Sequence, residues 1–146
     1  MKHLRILSAL VFTVLLANTA WAQHGTANAH ELALDGYCPV AYVEMNKAMK
    51  GDKAISATYM GQKYLFANRD AKKMFDKNPA KYAPKYDGTC ATAVSMGKRM
   101  GADPQYFSTY KGALYMFSNK EAKQMFDKNP LAVIEKADKQ WASMEK

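Results

Sequence analysis

Cys38 and Cys90 are the only cysteines of the chain, and they stand in matching settings, DGYCPVA and DGTCATA, 52 residues apart. Their chemistry has three readings. Paired cysteines in an exported chain usually form a disulfide, which here would tie two halves of the molecule together. Two thiolates also suit Cu(I), with methionine thioether to complete the shell. Met96 and Met100, one helical turn apart if the segment after Cys90 is a helix, are the nearest such donors in sequence. The third reading is a pair of reactive thiols, each placed at a helix N-terminus that favours the thiolate. The three stay open at this level, because a dithiol that binds metal can also oxidise. His24 and His30, together with a free amino terminus, are further ligands for copper or zinc; in a polar tail such histidines are otherwise simply solvated.

No catalytic constellation accompanies these groups. GxSxG, HExxH, phosphate-loop and dinucleotide fingerprints are absent, as is CxxC. A non-enzymatic protein is therefore expected. The nine tyrosines offer another kind of site, aromatic walls for a small organic ligand or a protein partner.

The elements that must position the cysteines are written twice. Residues 59–79, YMGQKYLFANRDAKKMFDKNP, and residues 110–130, YKGALYMFSNKEAKQMFDKNP, agree at 13 of 21 positions. Such a duplication implies two copies of one supersecondary unit, and packing about a pseudo-twofold axis would bring equivalent residues together. Each copy reads as a turn (Asp35-Gly36, Asp87-Gly88), a cysteine segment, a hairpin and a helix. The hairpins are expected over 54–67 and over Gln105–Tyr110 with Leu114–Phe117. Asn68 and Asn119 are helix N-caps, and Asn78-Pro79 and Pro130 end those helices. The segment Val40–Val43 reads as helix or short strand, and Ala91–Met100 as a helix stopped by Gly101. A final helix over Leu131–Met144 would turn Val133, Ile134, Ala137 and Trp141 inward. Phe66, Phe75, Phe117 and Phe126, with Met74 and Met125, complete the expected core. The expectation is an α+β fold: a single compact domain of two pseudo-symmetric ββα-like units with a C-terminal helix, the repeats lying at about 35–83 and 87–138.

The N-terminus reads as a secretory signal over residues 1–22. It has a basic start (Lys2, His3, Arg5), an apolar run from Ile6 to Leu16, and the small-residue site Ala20-Trp21-Ala22. The run is too short to span a bilayer comfortably, and no other segment is long and apolar enough. Residues 23–31 read as a flexible polar tail. The expected product is a soluble periplasmic protein with no stable membrane insertion after cleavage. Its charge is positive, +8 for the whole chain, but the lysines are scattered and no basic stripe interleaves with aromatics. That charge solubilises a surface rather than marking a nucleic-acid partner.

The run GYCPVAY, the aromatic strand KYLFAN before a helix, the segment NPAKYAPKYDGTCA and the final KADKQW together resemble the YHS domain family, and its small exported, stand-alone members in particular. The likeness covers about residues 32–144 and so defines a YHS-like domain over 32–146. It implies a metal-binding domain found beside heavy-metal and copper transport functions, with no catalytic residue. In relatives within heavy-metal pumps, the aromatic strand is followed by ligand cysteines; here Ala67 and Ser118 stand in those places. A four-cysteine zinc site within one chain is thus excluded. Many exported relatives carry Asp where this chain has Cys38. The resulting expectation is a periplasmic protein holding Cu(I), with zinc as the second candidate, through Cys38 and Cys90 helped by Met96 or Met100. Its partners would be the metal ion and a copper-transport protein. The alternative is a disulfide-tied, non-enzymatic scaffold that binds a small ligand or a protein.

Overall fold

A computed structural model describes residues 32–146, so the signal reading, the tail and both of its histidines lie outside the described residues. The elements run α1 (Pro39–Met45), β1 (Asp52–Tyr59), β2 (Gln62–Phe66), α2 (Arg69–Lys77), α3 (Pro79–Tyr82), α4 (Ala91–Ser95), β3 (Asp103–Tyr110), β4 (Ala113–Phe117), α5 (Lys120–Lys128) and α6 (Pro130–Met144). The two antiparallel hairpins, β1–β2 and β3–β4, form separate two-stranded sheets. The fold is α+β, and the duplication is visible in its backbone.

Equivalent residues adopt the same unusual angles. Leu34-Asp35-Gly36 and Tyr86-Asp87-Gly88 form left-handed turns with φ of 54°, 49° and 79° in one copy and 55°, 52° and 75° in the other. Non-glycine residues there cost about 1–2 kcal/mol each, so each turn must be held by its surroundings. Leu34 does part of this, since its side chain lies against Gly88 of the second turn. The hairpin loops are Met60-Gly61 and Lys111-Gly112, all with φ between 48° and 79°, the geometry that matches the twist of a two-residue hairpin. In both hairpins the pairing jumps after the first strand residue, from Asp52 to Ser56 and from Asp103 to Phe107. The aspartates make the bend, each accepting the N–H two residues on at 2.8 Å.

The helices follow from their caps. Asn68 accepts the N–H of Ala71, and Asn119 that of Ala122, both at 2.8 Å. Ala71 and Phe75, one turn apart, define the buried stripe of α2, and Phe126 fills the same role in α5. Met74 and Met125 lie at the margin of that stripe and are 39% and 49% exposed, so the expected core place for these two methionines is wrong. Trp141, Val133 and Ile134 pack partly buried against the second core, with Ala137 fully buried beneath them.

The copies diverge after the helices. Asn78 and Asn129 share φ −153° and ψ 75°, and each opens a further helix with proline at its start. In the first copy that helix stops at Tyr82, because Pro84 forces Ala83 into an extended conformation, ψ 134°. The second copy has no proline there and α6 runs to Met144, where it lies along α4.

Two aromatic cores result. In the first, Phe75 meets Tyr64 and Phe66 at 5.0 Å each; in the second, Phe126 meets Tyr115 and Phe117 at 4.9 and 5.0 Å. A third cluster of Tyr42, Leu114 and Met116 joins the units. Tyr42 is fully buried, packs edge-on against Phe107 at 4.6 Å and donates its hydroxyl to the Pro104 carbonyl at 2.8 Å.

Gly51 marks the tightest approach between segments. A Cβ there would sit 2.5 to 2.8 Å from Leu65 Cβ and C and Phe66 N, and the Gly51 N–H donates to the Gly36 carbonyl at 2.8 Å. In the second copy the equivalent residue is Ala102. Gly51→Ala is expected to lower stability by about 2 kcal/mol, since atoms of the strand backbone cannot swing aside as a side chain can. Urea unfolding measures this directly, and an unchanged midpoint would show that β2 moves freely.

Candidate functional site

The two cysteines occupy equivalent places and are sealed. Cys38 is the N-cap residue of α1 and Cys90 that of α4, at 0% and 1% exposure. Each N–H is tied to a methionine carbonyl, Cys38 to Met49 at 2.8 Å and Cys90 to Met100 at 2.9 Å. Met49 and Met100 are themselves identical at the offset of 51 that the hairpins share, and the one-residue difference between the copies lies between each cysteine and its methionine. Cys90 also bridges to Met116 of β4 in parallel sense, and its Sγ accepts the Ser118 hydroxyl at 3.5 Å. Ala67 stands at the matching place beside β2 and has no hydroxyl to offer.

The structure does not join the cysteines. Both are free, with Cys38 packed in the first aromatic core and Cys90 in the second. The disulfide reading is thereby corrected. The physical reason is that each cysteine follows its own left-handed turn into its own unit, while the surface between the units is filled by Tyr42, Leu114 and Met116. Among the described residues no group of three or more His, Cys, Asp or Glu side chains could hold a metal ion.

Met96 and Met100 do not lie on a helix, and of the two it is the Met100 backbone that returns to Cys90. The helix after Cys90 ends at Ser95, short of the expected Met100, because Gly97 turns left-handed at φ 73°. The N–H groups of Met96 and Lys98 both return to Ala93, so the loop folds back over the end of α4. Arg99 then stacks over the Trp141 ring at 4.5 Å, and Gly97 lies close to Gln140. Trp141 in turn packs on Tyr86 at 5.6 Å, whose hydroxyl donates to Asp138 at 2.8 Å. Burial, then the hydrogen bond to Asp138, pushes the Tyr86 hydroxyl far above its ordinary range, so it remains a donor. Helix α6 thus anchors a loop that leaves the Met96 and Met100 side chains 54% and 48% exposed.

Six of the seven large hydrophobic residues exposed among the described residues are methionines. Met45, Met60, Met74, Met96, Met100 and Met125 are exposed, and Leu131 is the one other large hydrophobic among the described residues so placed. Methionine is ordinarily among the more buried residues, so this reverses its usual position. A separate polar cluster lies on the first unit. Lys81 meets Glu44 at 2.6 Å and Tyr82 donates to the same oxygen at 2.9 Å. The bonds from Lys81 and Tyr82 hold the Glu44 carboxyl below its ordinary range.

No family model, no curated protein and no solved structure matches the chain. No helix among the described residues is long and apolar enough to cross a membrane.

Proposed function

We propose that this is a non-enzymatic, periplasmic protein that binds a soft monovalent metal, Cu(I), through the thioether sulfurs of the Met96–Met100 loop together with the Cys90 thiol. The observation that carries the reading is the exposure of Met96 and Met100 on an anchored loop whose Met100 carbonyl is bonded to the Cys90 N–H. Thioether and thiol are soft donors, and Cu(I) is the biological ion they suit best; the set fits zinc poorly, since zinc prefers four thiolate, imidazole or carboxylate ligands. The resemblance to the YHS domain family supports a metal role. Ser118, at a position where pump relatives have a ligand cysteine, contacts Cys90. Cys38 has no place in this version of the site, because it belongs to the other core.

The test is anaerobic Cu(I) titration of the reduced protein against a chromophoric chelator. Met96→Leu with Met100→Leu keeps volume and removes both sulfurs; it is expected to weaken binding at least tenfold. Cys90→Ser is expected to do the same and Cys38→Ser to change little. Equal loss in both cysteine variants would restore the two-thiolate site, and a wild-type chain that does not compete with the chelator would end the copper reading.

A further inference from the structure

A few apolar side chains at a surface are ordinary, but here six of the seven large ones carry sulfur. The duplication shows what the fold itself asks for at these places. Met60 turns the first hairpin at φ 48°, and its equivalent in the second is Lys111 at φ 50°. Met96 follows α4 where the equivalent residue of α1 is Glu44, and Met45 of α1 matches Gly97. A charged side chain, or none at all, therefore serves these positions equally well. Met74 and Met125 are equivalent to each other, and both copies leave the thioether exposed beside the buried ring of Phe75 or Phe126. Met116 is the contrasting case. It is 1% exposed in the cluster that joins the units, and its equivalent is the buried Leu65, so packing accounts for it.

Thioether sulfur takes oxygen from two-electron oxidants to give the sulfoxide, a step that dedicated reductases reverse. The change makes an apolar side chain polar. That disrupts a core, but it suits a position that the other copy fills with lysine or glutamate. Thiols are the usual first target of such oxidants, and they react as accessible thiolate. Cys38 and Cys90 are instead sealed within their own cores. Accessibility in this molecule thus reverses the intrinsic order of reaction, with thioethers outside and thiols inside.

We propose that the six exposed methionines are an oxidation site for hypohalous acids, and that the chain is a repairable trap for these oxidants. At each sulfur an S–O bond forms and the O–Cl bond of hypochlorous acid breaks. Sulfur gives up two electrons, chlorine leaves as chloride and the proton goes to water. Hypohalous acids attack thioether unaided, whereas hydrogen peroxide does so slowly, so an exposed side chain alone suffices for the former. Met45, Met60 and Met74 lie on the first unit and Met96, Met100 and Met125 on the second, and oxygen at any of them leaves both aromatic cores intact. This role is independent of copper binding. Sulfoxide at Met96 and Met100 would remove soft donors of the proposed copper site, so the test uses metal-free protein.

Hypochlorous acid is added stepwise to the reduced, metal-free protein. Peptide mass spectrometry places each oxygen, and thiol titration in denaturant counts the cysteines. All six exposed methionines are expected to gain oxygen at least tenfold faster than Met116, with both thiols intact and the urea midpoint close to that of untreated protein. Methionine sulfoxide reductase is expected to return all six to thioether. Exchanging the six for leucine keeps the apolar volume and removes the sulfur. Mixed with an equimolar single-methionine reporter peptide, this variant should leave the reporter at least threefold more oxidised than the wild type does. Loss of either thiol before the third sulfoxide, a fall in the midpoint before Met116 reacts, or equal protection of the reporter by the variant would overturn the proposal. The first two outcomes are read on the wild-type chain and hold whether or not the variant folds.

Discussion

Replacing Phe126 by alanine is expected to cost about 3–5 kcal/mol of folding stability, the range for removing a buried aromatic ring. The ring is 1% exposed and sits among Tyr110, Tyr115 and Phe117 at 4.9 to 6.5 Å, contacts that connect α5 to both strands of its hairpin. No neighbour can collapse into the space without leaving the strand that holds it. Phe75→Ala is the same experiment in the other copy, with Tyr59, Tyr64 and Phe66 around the ring. Tyr82 also reaches Phe75 at 6.4 Å, whereas the equivalent residue of the second copy is Val133, so Phe75→Ala should be at least as damaging. Urea unfolding followed by far-ultraviolet circular dichroism gives both values. A loss near 1 kcal/mol in either variant would mean that its unit is loosely packed and that the duplicated aromatic core does not hold it.

Tyr42→Ala is expected to have a comparable cost, about 3–5 kcal/mol, and a different signature. Tyr42 belongs to the first unit by sequence and packs on Phe107, Leu114 and Met116 of the second. Its equivalent, Val94, stays within the second unit's core. Removing Tyr42 therefore weakens the contact between copies more than either copy. Wild-type protein should unfold in one transition. In the variant, fluorescence of Trp141, the one tryptophan of residues 23–146, should part from circular dichroism, because Trp141 reports the second unit alone. Coincident curves in the variant would show that the left-handed turns, which also meet, suffice to couple the halves. Tyr42→Phe isolates the hydroxyl. Leaving the Pro104 carbonyl without its donor should cost about 1 kcal/mol, with the transition still single.

Much of this molecule is determined by residues close together in sequence. The hairpin turns follow from Met60-Gly61 and Lys111-Gly112, the caps from Asn68 and Asn119, and the inward stripe of α2 from Ala71 and Phe75. The repeat in the text becomes a repeat in space because the same short-range instructions recur. The expected helix through Met100 fails at one residue, since Gly97 takes a left-handed turn that good helix formers on either side do not prevent. Met74 and Met125 were legible as repeat positions but not as exposed ones, because a two-residue apolar pair on a helix does not reveal which member faces the core.

Tertiary structure alone decided the relation between Cys38 and Cys90. Their equivalence is written in DGYCPVA and DGTCATA, yet equivalence places two residues together only near the symmetry axis. Here Tyr42, Leu114 and Met116 fill the surface between the copies, and each thiol is buried in its own unit. Met100 was legible as a neighbour of Cys90 in sequence, but the bond from the Cys90 N–H to its carbonyl and the contact of Ser118 with the thiol were not, since they depend on a loop returning to α4 and on β4 lying beside it. The sequence by itself determined the donor atoms, the duplicated α+β plan and the absence of catalytic signatures. Packing between the copies decided which core each thiol enters, because that depends on side chains more than fifty residues apart filling the same space.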